Sequence, residues 1–378
     1  MLSVRLVLVC CLGTLPACMP NSSSKRADYD PATDSLRFPG EVHLRNIRQL
    51  TFGGNNAEAY WSYDDRYLVF QSDWTAINPQ GCDQIFLMRA DGQPLADGQR
   101  YRLLSTGRGR TTCAYFLPNS RVLYASTHAA GPECPPVLRS VEGRYVWSLY
   151  EYDIYVTDTT GAPPELLIGG PGYDAEATVS PDGRYIVFTS SRSGDLELWR
   201  YDLQTGALLQ LTQELGYDGG AFFSPDGSQI VWRASRPTGE AAKRYRQLLA
   251  QGLVEPSEMD LYVANADGSN PRRVTHLPGA QWAPYFHPDG KRIIFASNHH
   301  TKGGRLFDLF LIHLDGTGLA QVTHSGTFDA FPMFSRDGRR LVFASNRNAR
   351  GEASRETNLF VADWVEHPEP IDLSFTRP

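Results

Sequence analysis

The stretch DAEATVSPDGRYIVFTSSRSGDLELWRYD, residues 174–202, decides the fold. Two apolar runs, 175–180 and 185–189, flank Ser180-Pro181-Asp182-Gly183, and a third follows at 196–202. In the tetrapeptide Pro181 presets φ, Asp182 bonds back to the backbone and Gly183 accepts a positive φ where the next strand begins. The segment therefore predicts a hairpin turn followed by a third strand.

The same unit recurs along the chain. Ser224-Pro225-Asp226-Gly227, His287-Pro288-Asp289-Gly290 and Ser335-Arg336-Asp337-Gly338 are close copies; Ser62-Tyr63-Asp64-Asp65 and Leu117-Pro118-Asn119-Ser120 are weaker ones. Third strands are predicted at 84–89, 153–158, 196–202, 261–265, 309–314 and 358–363. Short fourth strands end in Leu104-Ser105, Leu211-Thr212, Val274-Thr275 and Val322-Thr323, with Leu167-Ile168 as the divergent copy. Four short strands per unit, at a period of roughly 40 to 60 residues, are the mark of propeller blades. The sixth unit lacks a fourth strand, while Ile47-Arg48-Gln49-Leu50-Thr51 stands alone ahead of the first. The expected fold is an all-β, six-bladed β-propeller over residues 44–378 whose N-terminal strand completes the last blade and removes the open sheet edges.

A fourth strand ending in Leu-Thr, a first strand running into Ser-Pro-Asp-Gly, a Phe-rich second strand and a third strand ending in Asp-Gly together resemble the TolB-like β-propeller repeat family, over about residues 44–365. The resemblance implies a periplasmic scaffold that binds a partner through its propeller. The family's N-terminal α/β domain is not expected here, so a direct Tol-system role is not expected either.

Residues 1–17 read as an export signal: Arg5, then an apolar run over 6–15 that is too short to span a bilayer. Leu15-Pro16-Ala17-Cys18 resembles a bacterial lipoprotein box, which makes Cys18 the lipidation site; an ordinary secretory cut near Ala17 is the other reading. Met19 rather than Asp after the Cys implies, by the same resemblance, the outer membrane. Residues 18–43 are expected to be a flexible tether to a periplasmic domain. Loss of Arg5 with the signal takes the formal charge from -6 to -7, which offers no basic footprint for nucleic acid. Beyond Cys18 the chain keeps Cys82, Cys113 and Cys134, enough for one disulfide and one free thiol. The favoured bridges are Cys113 with Cys134, or Cys82 with Cys113, since each joins the same or adjacent blades.

Residues repeated in every blade read as architecture. These are Asp83, Asp153, Asp195, Asp260, Asp308 and Asn358 at the start of third strands; Arg192, Arg236 and Arg347, which follow three of the second strands, are expected to pair with nearby acids. The long insertions fall between second and third strands, so one face carries long loops and the opposite face only tight turns. On the long-loop face Asn56, Thr111, Asp174, Asp218, Gln281 and Asp329 are expected to ring the channel mouth, with Glu58 and Glu176 two residues further in. Asp174, Asp218 and Asp329 among these oxygens would suit a divalent cation such as calcium, the alternative being that they accept backbone hydrogen bonds. His299-His300 could offer imidazole to a transition metal, although adjacent loop residues rarely share one ion. Residues 239–252 have the spacing of a short amphipathic helix.

Neither Gly-x-Ser-x-Gly nor His-Glu-x-x-His occurs, and no catalytic residue is assigned. The expected function is a non-catalytic cell-envelope binding or scaffold module that recognises a protein or a cell-wall polymer through the long-loop face. The alternative is a metal-dependent, uronate lyase-like glycan-processing enzyme with its site at the channel mouth.

Overall fold

In the computed structural model, residues 34–301, 304, 306–348 and 356–367 are described. The signal 1–17 and Cys18 lie outside them. Six four-stranded antiparallel sheets follow one another in sequence. Blade 3, built from the segment quoted first, has strands Asp174–Val179, Tyr185–Ser190, Glu197–Asp202 and Leu208–Gln210. Its turn is held by Ser180, whose Oγ donates to Asp182 at 2.5 Å and accepts from the Tyr185 N–H at 2.9 Å. Ser62, Ser224 and Ser335 repeat both bonds.

Blade 6 closes the ring. Its strands Asp329–Phe334, Arg340–Ser345 and Asn358–Trp364 take Leu44–Gln49 as the fourth, outermost strand. Thr51 does there what Thr323 does in blade 5. Its hydroxyl bonds Asn358 at 3.1 Å and accepts from the Leu359 N–H at 2.9 Å, as Thr323 does with Asp308 and Leu309. The closing strand is therefore held by the same chemistry as an ordinary blade.

The segment 34–43, expected within the tether, packs on blade 6 instead. Asp34 accepts from the Ile47 N–H, and the fully buried Glu41 meets the fully buried Arg347 guanidinium at 3.1 Å. Burying one of these charges without the other would be strongly unfavourable, so the pair fixes the segment.

Each first strand carries a bulge at its third residue, where two residues oppose one on the neighbouring strand. The six residues are Glu58, Cys113, Glu176, Gly220, Ala283 and Phe331, all with φ between 47° and 61°. Left-handed backbone costs about 1–2 kcal/mol at a residue with a Cβ, so the ring of bulges persists only because the packed blades hold it.

On the long-loop face the insertions of blades 2 and 4 meet. Trp147–Ser148 pairs antiparallel with Leu253–Val254, which follows the amphipathic helix Gly239–Leu249. The helix buries Ala242, Tyr245 and Leu248 against the protein. The disulfide joins Cys82 to Cys134, with Cα atoms 5.7 Å apart, and so ties the long loops of blades 1 and 2 together. This corrects both favoured pairings. Cys113 is the bulge residue of its strand, buried with its thiol toward the channel and away from the loops.

Candidate functional site

The bulge forces the third and fifth residues of the first strands toward the molecular axis. Glu58, Cys113, Glu176 and Gly220 from the third positions, and Tyr60 and Phe222 from the fifth, line a channel void of about 20 Å3. That is room for roughly one water, which needs ~10–15 Å3.

Glu176 is the centre of this site. One of its oxygens meets the buried Arg233 guanidinium, Tyr217 donates its hydroxyl at 2.6 Å, Thr189 donates at 2.7 Å and the Gly220 N–H at 2.9 Å. Arg233 belongs to the second strand of blade 4 and reaches the axis because Gly219 and Gly220 leave the space. A Cβ on Gly220 would stand 2.3 Å from the guanidinium, and one on Gly219 2.4 Å from the Glu176 carboxylate. Burial alone would lower the pKa of Arg233, but the Glu176 carboxylate acting together with Tyr217, Glu58 and Cys113 outweighs it and holds the guanidinium charged. Glu58 has no such cation in contact. Burial raises its pKa, opposed in part by hydrogen bonds from Cys113 and Tyr60. Burial, and then the charge of Glu58, push the Cys113 thiol well up, so it stays protonated and unreactive.

Side chains close this void on both sides. On the long-loop side Trp147 lies 5.3 Å from the Arg233 guanidinium and 5.3 Å from the Trp282 ring, which in turn stacks on Phe307. On the turn side Tyr60, Tyr115, Phe222 and Tyr285 pack ring to ring at 5.2–6.3 Å.

The expected ring of oxygens does not converge. Asp174, Asp218 and Asp329 turn between blades, where Arg192, Arg236 and Arg347 pair with them at 2.8, 2.7 and 3.3 Å. Asn56 bonds the Gly53 carbonyl and Ser72, Thr111 the Asp83 carbonyl, and Gln281 the Pro278 carbonyl. Each acid has its own cation, so the three form no joint calcium site. His299 and His300 point to separate partners, Ser297 and Asp308. Among the described residues a different cluster, His287, Asp289 and Glu366, has the spacing of metal ligands. The Arg292 guanidinium already bonds all three, so a cation occupies that place.

Sequence reading missed the Glu176–Arg233–Tyr217 cluster. Its signal was present: Gly219-Gly220 in a first strand, where other blades carry side chains, and an arginine within the apolar run 230–234.

A family model described as a TolB beta propeller domain matches residues 247–353. The Tol-Pal system protein TolB of Bordetella parapertussis is 27% identical over 77% of this chain and 67% of its own length. An uncharacterised protein of Agrobacterium fabrum is 28% identical over 38% of this chain, which spans only 46% of that relative. Among solved structures, TolB of Acinetobacter baumannii superposes with a TM-score of 0.51 at 15% identity, over 84% of this chain and 65% of that one. A gluconolactonase of Xanthomonas campestris gives 0.54 at 14%, over 86% and 91%. At such identities the superpositions concern the fold alone.

Proposed function

From a chain that is a TolB-like β-propeller, we propose a non-catalytic binding platform of the cell envelope that receives a protein partner on its long-loop face. The observation that carries this reading is the contrast between a filled channel and a braced, partly apolar rim. At the ring of bulges the channel has room for about one water, whereas the blade 2 insertion holds Val137, Leu138 and Tyr145 out at 46–47% exposure. Those residues stand on a loop tied by the Cys82–Cys134 bridge and by pairing with the blade 4 insertion. Exposed apolar side chains on a rigid mount suit a protein interface better than an aqueous polymer, because their ordering cost is already met before binding.

In this reading Cys18 carries lipid and holds the platform in the periplasm at the outer membrane. Cys18→Ser should then move the protein to the soluble fraction; a wild-type protein that is already soluble would exclude the anchor. The partner is tested by photo-crosslinking in living cells from position 138 or 145, with Leu166 on the outer strand of blade 2 as control. A discrete protein adduct from the insertion alone supports the proposal. Adducts from all three positions, or binding to purified cell wall without a protein adduct, would overturn it.

A further inference from the structure

The tight-turn face holds a second site, independent of the long-loop platform. Five of the six turns have Pro or Tyr at their second position; blade 6 alone has an arginine, Arg336. Proline has no N–H, so the change exposes a backbone donor that must be met. Asp65, the last turn residue of blade 1, meets it: its carboxylate accepts from the N–H groups of Arg336 and Asp337 at 2.7 and 3.0 Å. Asp337 is engaged in its turn by the Ser335 hydroxyl and the Arg339 N–H. Both acids are thus spent on groups of the two turns.

The guanidinium is left with aromatic company. It lies 3.6 Å from the centroid of Tyr63 and, among the described residues, forms no ion pair. Arg192, Arg233, Arg236 and Arg347 each do. Arg336 stands at the rim of an axial pocket of about 170 Å3, whose wall includes Tyr115, Pro225, Tyr285 and Phe334. That is roughly tenfold the space one water needs. On its other side it borders an open groove of about 680 Å3 between blades 6 and 1, where Arg66 and Arg89 are already paired with Asp64 and Asp91. A pocket walled mostly by aromatic rings and prolines, with one planar, unpaired cation at its rim, fits a small organic carboxylate with an apolar body: the body lies against the rings while the guanidinium takes both oxygens.

We propose that the axial pocket of the tight-turn face binds a small carboxylate with an apolar body through Arg336. The same chemistry could come from a free aromatic acid or from the C-terminal residue of a peptide. Calorimetric titration of the full mature chain with benzoate and with N-acetyl-leucine separates the two sources, with benzamide and N-acetyl-leucinamide as neutral counterparts. At least one acid should bind, its amide should not, and Arg336→Gln should weaken binding about tenfold or more, the scale of one charge-assisted contact. Arg336→Lys, which keeps the charge without the fork, should lie between. Failure of both acids, equal binding of an amide, or unchanged affinity in a folded Arg336→Gln variant would overturn the proposal.

Discussion

Glu58 and Glu176 occupy the same bulge position two blades apart and live in opposite surroundings. Glu176 is saturated by Arg233, Tyr217, Thr189 and a backbone N–H, whereas Glu58 shares the void with a thiol and a phenol. Because burial raises its pKa, Glu58 binds its proton more tightly in the folded than in the unfolded chain. Its contribution therefore favours folding at low pH and turns against it as pH rises past the unfolded value. Glu58→Gln should raise the melting temperature at pH 7–8 and flatten its decline with pH; equal pH profiles for the two proteins would refute this. Removing the cation from the other site acts in the opposite sense. Arg233→Met leaves Glu176 buried with no countercharge and should cost about 3–5 kcal/mol in chemical denaturation, a loss that Glu176→Gln added to it should partly restore. The acids of this region were legible in the sequence, but their roles were not. With a strict period of two, the first, third and fifth residues of a strand would share one face. The bulge breaks that period, sending Asp174, Asp218 and Asp329 between the blades and leaving only the third and fifth residues on the axis.

At the scale of elements, the loops are where spacing along the chain misleads. Cys113 precedes Cys134 closely in sequence, yet it sits in the floor of the channel while Cys82 and Cys134 meet above it on neighbouring loops. Connectivity among three cysteines is a property of the folded face and leaves no trace in their order. The bridge closes a separation of 52 residues, for which chain entropy gives an upper value of about 4 kcal/mol. Cys82→Ser should lower stability by roughly 2–4 kcal/mol, read from the denaturant midpoint at unchanged slope. A loss below about 0.5 kcal/mol would mean that the strand pairing of Trp147–Ser148 with Leu253–Val254 holds the loops unaided. The helix of the blade 4 insertion, by contrast, could be read in advance, because Ala242, Tyr245 and Leu248 already lay on one helical stripe.

For the whole molecule, the blade count and the closure were legible because turn chemistry repeats while the fourth-strand signal is displaced to the other end of the chain. What the repeat could not reveal is how far closure extends beyond the strand. Taking a chain that begins at Asp34 as reference, a start after Arg45 removes Glu41 and leaves Arg347 buried with Asp329 alone. A start after Thr51 also bares the edge of Asn358–Trp364. The first truncation should remain monomeric with a lowered melting temperature, and the second should aggregate, by light scattering, at the same concentration. Equal behaviour of the two would show that the outer strand is dispensable.

The position of the Glu41–Arg347 pair has a mechanical meaning. Tension carried along the chain from its N-terminal side enters the ring through the closing strand, whose rungs run from Leu44 opposite Trp364 to Gln49 opposite Phe360. Without a stop ahead of Leu44, such a pull would peel these rungs one by one, the weakest way to load a sheet. The buried pair takes the load first, as a strain relief does on a cable, and spares the ladder that keeps six blades a ring.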